Sequence, residues 1–117
     1  MRIIVLIGIL AVLFSCNESK SSKALEAMPK DKFIEVLTDV RLLEGAYTVK
    51  YQSIDSSAGA LQEYYAQVFQ KHQISRKQFE DAFVMYQLEP KLMEEAEDSV
   101  LQRLQRMSEE TSENLQK

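Results

Sequence analysis

Residues 29–51 read PKDKFIEVLTDVRLLEGAYTVKY, and their spacing decides the fold class. Phe33, Val36, Leu37, Val40, Leu43, Tyr47 and Tyr51 recur at steps of three and four. That interval returns side chains to one face of an α-helix, whereas a strand would need steps of two. Pro29 suits a first helical position, where its missing N–H costs nothing. The spacing predicts a helix over about 30–50. One residue sits badly in it: Glu44 falls within the apolar arc, between the directions of Val40 and Leu37.

Working toward the C-terminus, residues 52–59 carry Ser53, Asp55, Ser56, Ser57 and Gly59 and read as a loop of ordinary length. A second helix is expected over about 58–72, with Leu61, Tyr64, Tyr65 and Val68 as its stripe and Phe69 widening it. The segment Ile74-Ser75-Arg76-Lys77-Gln78-Phe79 then has the form of a capping box, Ser75 as N-cap and Gln78 three residues on, with Ile74 and Phe79 as a hydrophobic staple. The helix it opens carries Phe79, Ala82, Phe83 and Tyr86 and should stop near Leu88, because Pro90 disfavours the α conformation at Glu89. Pro90 starts a fourth helix whose stripe is Met93, Ala96, Val100, Leu104 and Met107. Residues 108–117 lack apolar support and are expected to fray.

If the first two helices form an antiparallel hairpin turning near residue 55, position 44 lies across from 64–66. Glu44 is then expected to accept a hydrogen bond from Tyr64 or Tyr65, with Arg41 nearby, since an unpartnered buried carboxylate would cost several kcal/mol, on the order of a lost charge-assisted contact.

Toward the N-terminus, Arg2 precedes residues 3–14, twelve positions without a polar side chain. That is short of the roughly 20 apolar residues a bilayer span needs and suits the core of an export signal. Leu13-Phe14-Ser15-Cys16 resembles a lipobox, in which a diacylglyceryl group is attached through the thiol and the chain is cut after a small residue. The competing readings are a catalytic thiol and a free structural one. Catalysis would need a base, and the only histidine is His72. Acyl chains on the thiol and on the freed amine together make a stable anchor, whereas one chain is marginal. Asn17 in place of aspartate resembles lipoproteins sent to the outer membrane. Residues 17–23 read as a polar, flexible tether.

The 117 residues carry 14 basic and 18 acidic side chains, a balance of −4. Loss of residues 1–15 removes only Arg2 from the charged set, leaving 13 against 18, or −5. That sign disfavours nucleic acid, whose phosphates demand a basic surface, and docking on anionic headgroups by charge alone. With Cys16 consumed by lipid, the remaining chain has no disulfide. The expected architecture is all-α: a small bundle of three to four helices over 28–107, after a signal peptide at 1–15 and a lipidated cysteine and tether at 16–27, with a polar tail at 108–117.

The lipobox, Met28-Pro29-Lys30-Asp31-Lys32-Phe33, Leu37-Thr38-Asp39-Val40, Tyr64-Tyr65, His72-Gln73-Ile74-Ser75 and Gln78-Phe79, taken in order, resemble a family: the small Bacteroidetes lipoproteins grouped as domain of unknown function 4296. The likeness covers about residues 28–107. It implies a helical envelope lipoprotein and no particular activity. Members often place histidine where this chain has Arg41, and that departure weakens any metal site built on the segment.

Each candidate site has a plain structural reading beside it. Asp39, Arg41 and Glu44 form a binding patch or a solvated flank with an Arg41–Glu44 pair. His72 reads as a capping or half-buried histidine; one histidine without neighbouring cysteines is poor support for zinc. Glu94, Glu95, Glu97 and Asp98 lack calcium-loop spacing and read as a solvated face. No catalytic set, metal or cofactor is implied. The expected role is a non-enzymatic interaction or assembly module, anchored through acyl chains on Cys16, facing the periplasm and binding another envelope protein. About 80 ordered residues without disulfide or metal make a thin core that gains from a partner. The rival expectation is a small-ligand binder using the tyrosine-rich space between the first two helices.

Overall fold

A computed structural model describes residues 20–50 and 58–117. The signal segment, Leu13, Phe14, Ser15 and Cys16 lie outside the described residues, as does Tyr51. Five α-helices are described: α1 (Lys20–Ala27), α2 (Lys30–Lys50), α3 (Ala58–Lys71), α4 (Arg76–Gln87) and α5 (Pro90–Leu115). There is no strand among the described residues, and the chain is all-α.

The ends of these helices follow local chemistry. Phe33 donates its N–H to the Pro29 carbonyl at 2.9 Å, so Pro29 stands just before α2 as its N-cap and Lys30, not the proline, is the first helical residue. At the start of α4 the Ser75 hydroxyl accepts from Gln78 N–H at 3.0 Å, and the Gln78 side-chain oxygen accepts from Ser75 N–H at 2.8 Å, the reciprocal capping box. Between α3 and α4, Gln73 takes the left-handed conformation (φ 56°), and Ile74 N–H returns to the Phe69 carbonyl at 3.1 Å. A left-handed residue just past a helix lets the next N–H groups close on its last carbonyls.

Helix α2 is the central element. It packs along α5, against α3 and against the flank of α4, while α1 lies along α4. Phe33, Ile34, Val36, Leu37, Thr38 and Val40 of its first half are all buried. Burial of Ile34 and Thr38 beside the expected stripe follows from neighbours on several sides. The Thr38 hydroxyl is satisfied locally, donating to the Ile34 carbonyl at 2.7 Å. Rings fill the centre: Phe33 stacks on Tyr86 at 3.8 Å between centroids, and Phe79 meets Phe69 at 5.4 Å. Tyr86 is fully buried, and its hydroxyl donates to the Met28 carbonyl at 2.9 Å, as a buried phenol requires.

Two boundaries differ from the sequence expectation. The stretch read as a tether is helical from Lys20, and Ala24 and Met28 at its inner face are buried in the core. One short apolar pair is enough when α4 supplies a surface for it. At the other end, α5 does not stop near 107 but runs to Leu115, although residues 105–117 are all exposed. Thr111 and Ser112 bond back to the carbonyls of Met107 and Ser108, so local hydrogen bonds carry this stretch without burial.

Candidate functional site

Three polar residues of α2 reach two neighbouring helices, α3 and α5. Asp39 Oδ2 lies 2.7 Å from Lys71 Nζ and 2.7 Å from His72 Nε2, both at the end of α3. Arg41 donates from Nη1 to Glu44 at 3.0 Å and from Nη2 to Glu97 of α5 at 2.6 Å. Glu44 Oε1 accepts from the Tyr65 hydroxyl at 2.8 Å. The chain Glu97–Arg41–Glu44–Tyr65 therefore links α5, α2 and α3 through one continuous set of polar contacts. Position 44 opposite 65 and position 39 opposite 71–72 make α2 and α3 an antiparallel hairpin. Lys30 meets Glu95 at 2.6 Å near the starts of α2 and α5. Their later halves share a groove, so those two helices run in the same direction.

The electrostatics follow the geometry. The Tyr65 phenol is pushed up to about 12 by its burial and by the Glu44 carboxylate that its proton bonds. The Glu97 carboxylate, then Glu44, hold Arg41 even more firmly charged than usual against the opposing effect of burial. Burial alone would raise Asp39, but the hydrogen bonds from Lys71 and His72 with their charges outweigh it and bring the carboxyl below its ordinary value.

The structure thus joins Arg41, Glu44 and Tyr65, as the hairpin register predicts; Tyr64, half-buried one residue away, is not the donor. Glu94, Glu95 and Asp98 are exposed, in keeping with the solvated face read from sequence, while Glu97 is partly buried; Glu95 and Glu97 also pair with α2, because α5 lies against it. The His72 side chain is largely buried, 10% exposed, and its bond to Asp39 goes beyond the sequence reading. The register that sets 44 against 65 also carries 39 to within two residues of 72, so the signal for that pair was present. Tyr65 and Phe69 wall a recess of about 270 Å³ over which Arg76 stands, its guanidinium carbon 5.6 Å from the centroid of each ring. Among the described residues no group of three histidine, cysteine or acidic side chains could hold a metal ion, and no helix is long and apolar enough to cross a membrane.

A larger concavity lies beyond the polar chain, where α2 and α5 leave the core together. It is a groove of about 870 Å³. Gly45 and Ala46 of α2 and Ser108 and Ser112 of α5 line it with small side chains, and Leu42, Val49 and Met107 add apolar surface. Val49 is 77% exposed. A Cβ built on Gly45 would meet no other atom within 4 Å. Sequence periodicity missed this groove, since it places Leu43 and Tyr47 toward the core without showing what the opposite side of α2 faces.

No curated protein and no solved structure matches the chain. The family described as Domain of unknown function (DUF4296) matches residues 26–110, which takes in α2 to α4 and nearly all of α5. Over that span the chain belongs to this family.

Proposed function

We propose that this protein is a lipid-anchored module of the cell envelope, held in the outer membrane through acyl chains on Cys16 and facing the periplasm. Its role is binding rather than catalysis: the groove between α2 and α5 seats an apolar helix of another envelope protein. The observation that carries this reading is Gly45. Glycine inside a helix costs about 1 kcal/mol relative to alanine, and nothing in the fold occupies the space that a side chain there would fill. A glycine here leaves room for another backbone to approach closely. The aliphatic residues beside it, Leu42 and Val49, are exposed as anchors for an amphipathic helix laid between two others. The ion pairs Lys30–Glu95 and Arg41–Glu97 join α2 to α5 below the groove.

The test is a photo-crosslinking residue at Val49 in the full-length, lipidated protein in its native membranes. A discrete protein adduct is expected, and Gly45→Leu should abolish it without lowering the thermal midpoint. Adducts undiminished by Gly45→Leu, or none at all, would overturn the docking role. Mass spectrometry of the mature N-terminus checks the anchor separately: acyl groups on Cys16 are expected.

A further inference from the structure

The order found in α1 bears on how the molecule sits. Cys16 precedes Lys20, where α1 begins, by only four residues. At full extension four residues reach about 14 Å at most. Helix α1 is itself fixed to the domain: Ala24 is 0% exposed, Met28 is 4% exposed, and the carbonyl of Met28 takes the buried bond from Tyr86 of α4. If the anchor is in the bilayer, as the proposed function holds, the start of α1 cannot leave the headgroups by more than that short reach, and α4 packs along α1. This layer also exposes large aliphatic side chains: Leu25 on α1, Val84 on α4 and Leu88 at its C-cap. Val84 and Leu88 are four apart and so share one side of α4, continuing the line of the exposed Lys77–Asp81 pair.

We infer that the α1–α4 layer lies against the bilayer that carries the anchor, with Leu25, Val84 and Leu88 as its lipid contacts. The inference rests on the lipid-anchored reading. The acyl chains supply attachment, so these three side chains need only orient the domain, at the high local concentration that a short link enforces. The occupant of this surface is therefore lipid and not a protein. The docking groove remains free, because its α2 residues begin eleven positions after Lys30, about 16 Å along the helix, and end about 30 Å along it.

With Cys16 acylated, a single introduced cysteine is the only free thiol. Full-length lipidated protein carrying Leu88→Cys, labelled with an environment-sensitive fluorophore, is reconstituted into vesicles of phosphatidylethanolamine and phosphatidylglycerol containing a nitroxide-labelled lipid. Leu25→Cys serves as an independent second site and Thr111→Cys on α5 as the distant control. Quenching is expected at positions 88 and 25 and not at 111, and Val84→Asp should reduce it at 88 while the protein stays vesicle-bound. Acylated protein with position 88 unquenched, or quenched no more than 111, would overturn the inference and leave the anchor intact. A blue shift at 88 without lipid quenching would assign the surface to protein contact and overturn it equally. Absence of acyl groups by mass spectrometry would remove the anchor reading and this inference with it.

Discussion

The two halves of α2 do opposite things. From Phe33 to Val40 the helix is enclosed, with Phe33, Val36 and Leu37 at 0% exposure against rings from α3 and α4. From Leu42 to Lys50 it carries Leu42 at 45% exposure and Val49 at 77%, side by side with a stretch of α5 that buries nothing. Composition does not separate them, since both halves are rich in aliphatic side chains. What separates them is the number of neighbours: the first half has α3, α4 and α5 around it, the second chiefly α3 and α5. Between the two lies the set of polar contacts through Asp39, Arg41 and Glu44. The contrast teaches that one continuous helix serves as core at one end and as presented surface at the other, and that a thin core is compatible with a firmly placed groove.

The sharpest way to break that contrast is to truncate one residue in each half. Phe33→Ala should cost about 3–5 kcal/mol in chemical denaturation, as removal of a buried ring does, and Val49→Ala should stay within about 0.5 kcal/mol, as exposed substitutions do. Similar losses at both sites would show that the second half is covered in solution. Next in size is the anchoring of α4 beneath the enclosed half. Ser75→Ala should lower stability by about 1 kcal/mol, the usual loss for an N-cap, and an unchanged denaturation midpoint would mean that the capping box contributes nothing.

The open half should respond with the opposite sign. Gly45→Ala should raise stability by about 0.8–1 kcal/mol, the helix-propensity difference, whereas a loss would show that position 45 has a close neighbour. At the boundary, Glu44→Gln should be milder than Glu44→Leu, with a difference below about 1 kcal/mol because the Arg41–Glu44 pair is more than one-third exposed. A leucine variant of equal or greater stability would show that the hydrogen bond from Tyr65 does not stabilise the hairpin. The smallest expected effect belongs to Asp39. Its carboxyl is lower in the folded protein than the ordinary 3.8, so its contribution is fully present above that value and is lost as pH falls through the folded value. Asp39→Asn should therefore be less stable than the native protein near neutrality, and the two should converge in strong acid. A gap that persists there would assign the effect to packing and not to charge.

Much of this molecule is legible in local chemistry. Steps of three and four placed α2, Pro29 and Pro90 placed two helix starts, and the Ser75–Gln78 pair placed a third. Each depends on residues within one or two turns, which is why sequence carries them. The Glu44–Tyr65 contact was readable as well, because a short loop forces adjacent helices into an antiparallel hairpin and the register then follows by counting. The bond from His72 to Asp39 follows from the same count, although a lone histidine by itself suggests no partner.

Other features depend on elements far apart in the chain. Residues 20–27 offer too few apolar positions for a periodic signal, so their helix exists as α1 because Ala24 and Met28 find α4, more than fifty residues later in the sequence. The carboxylates Glu95 and Glu97 become interhelical partners only because α5 lies along α2. The groove is likewise a property of that placement: Gly45 looks like a weak point in a helix until Ser108 and Ser112 stand across from it. Sequence alone determined that the four segments after Met28 are helical and where they begin, since hydrogen bonds within a turn and side-chain caps act locally. Tertiary structure decided which polar residues meet and which apolar residues remain uncovered, because burial is set by the sum of neighbours and no single segment contains its own.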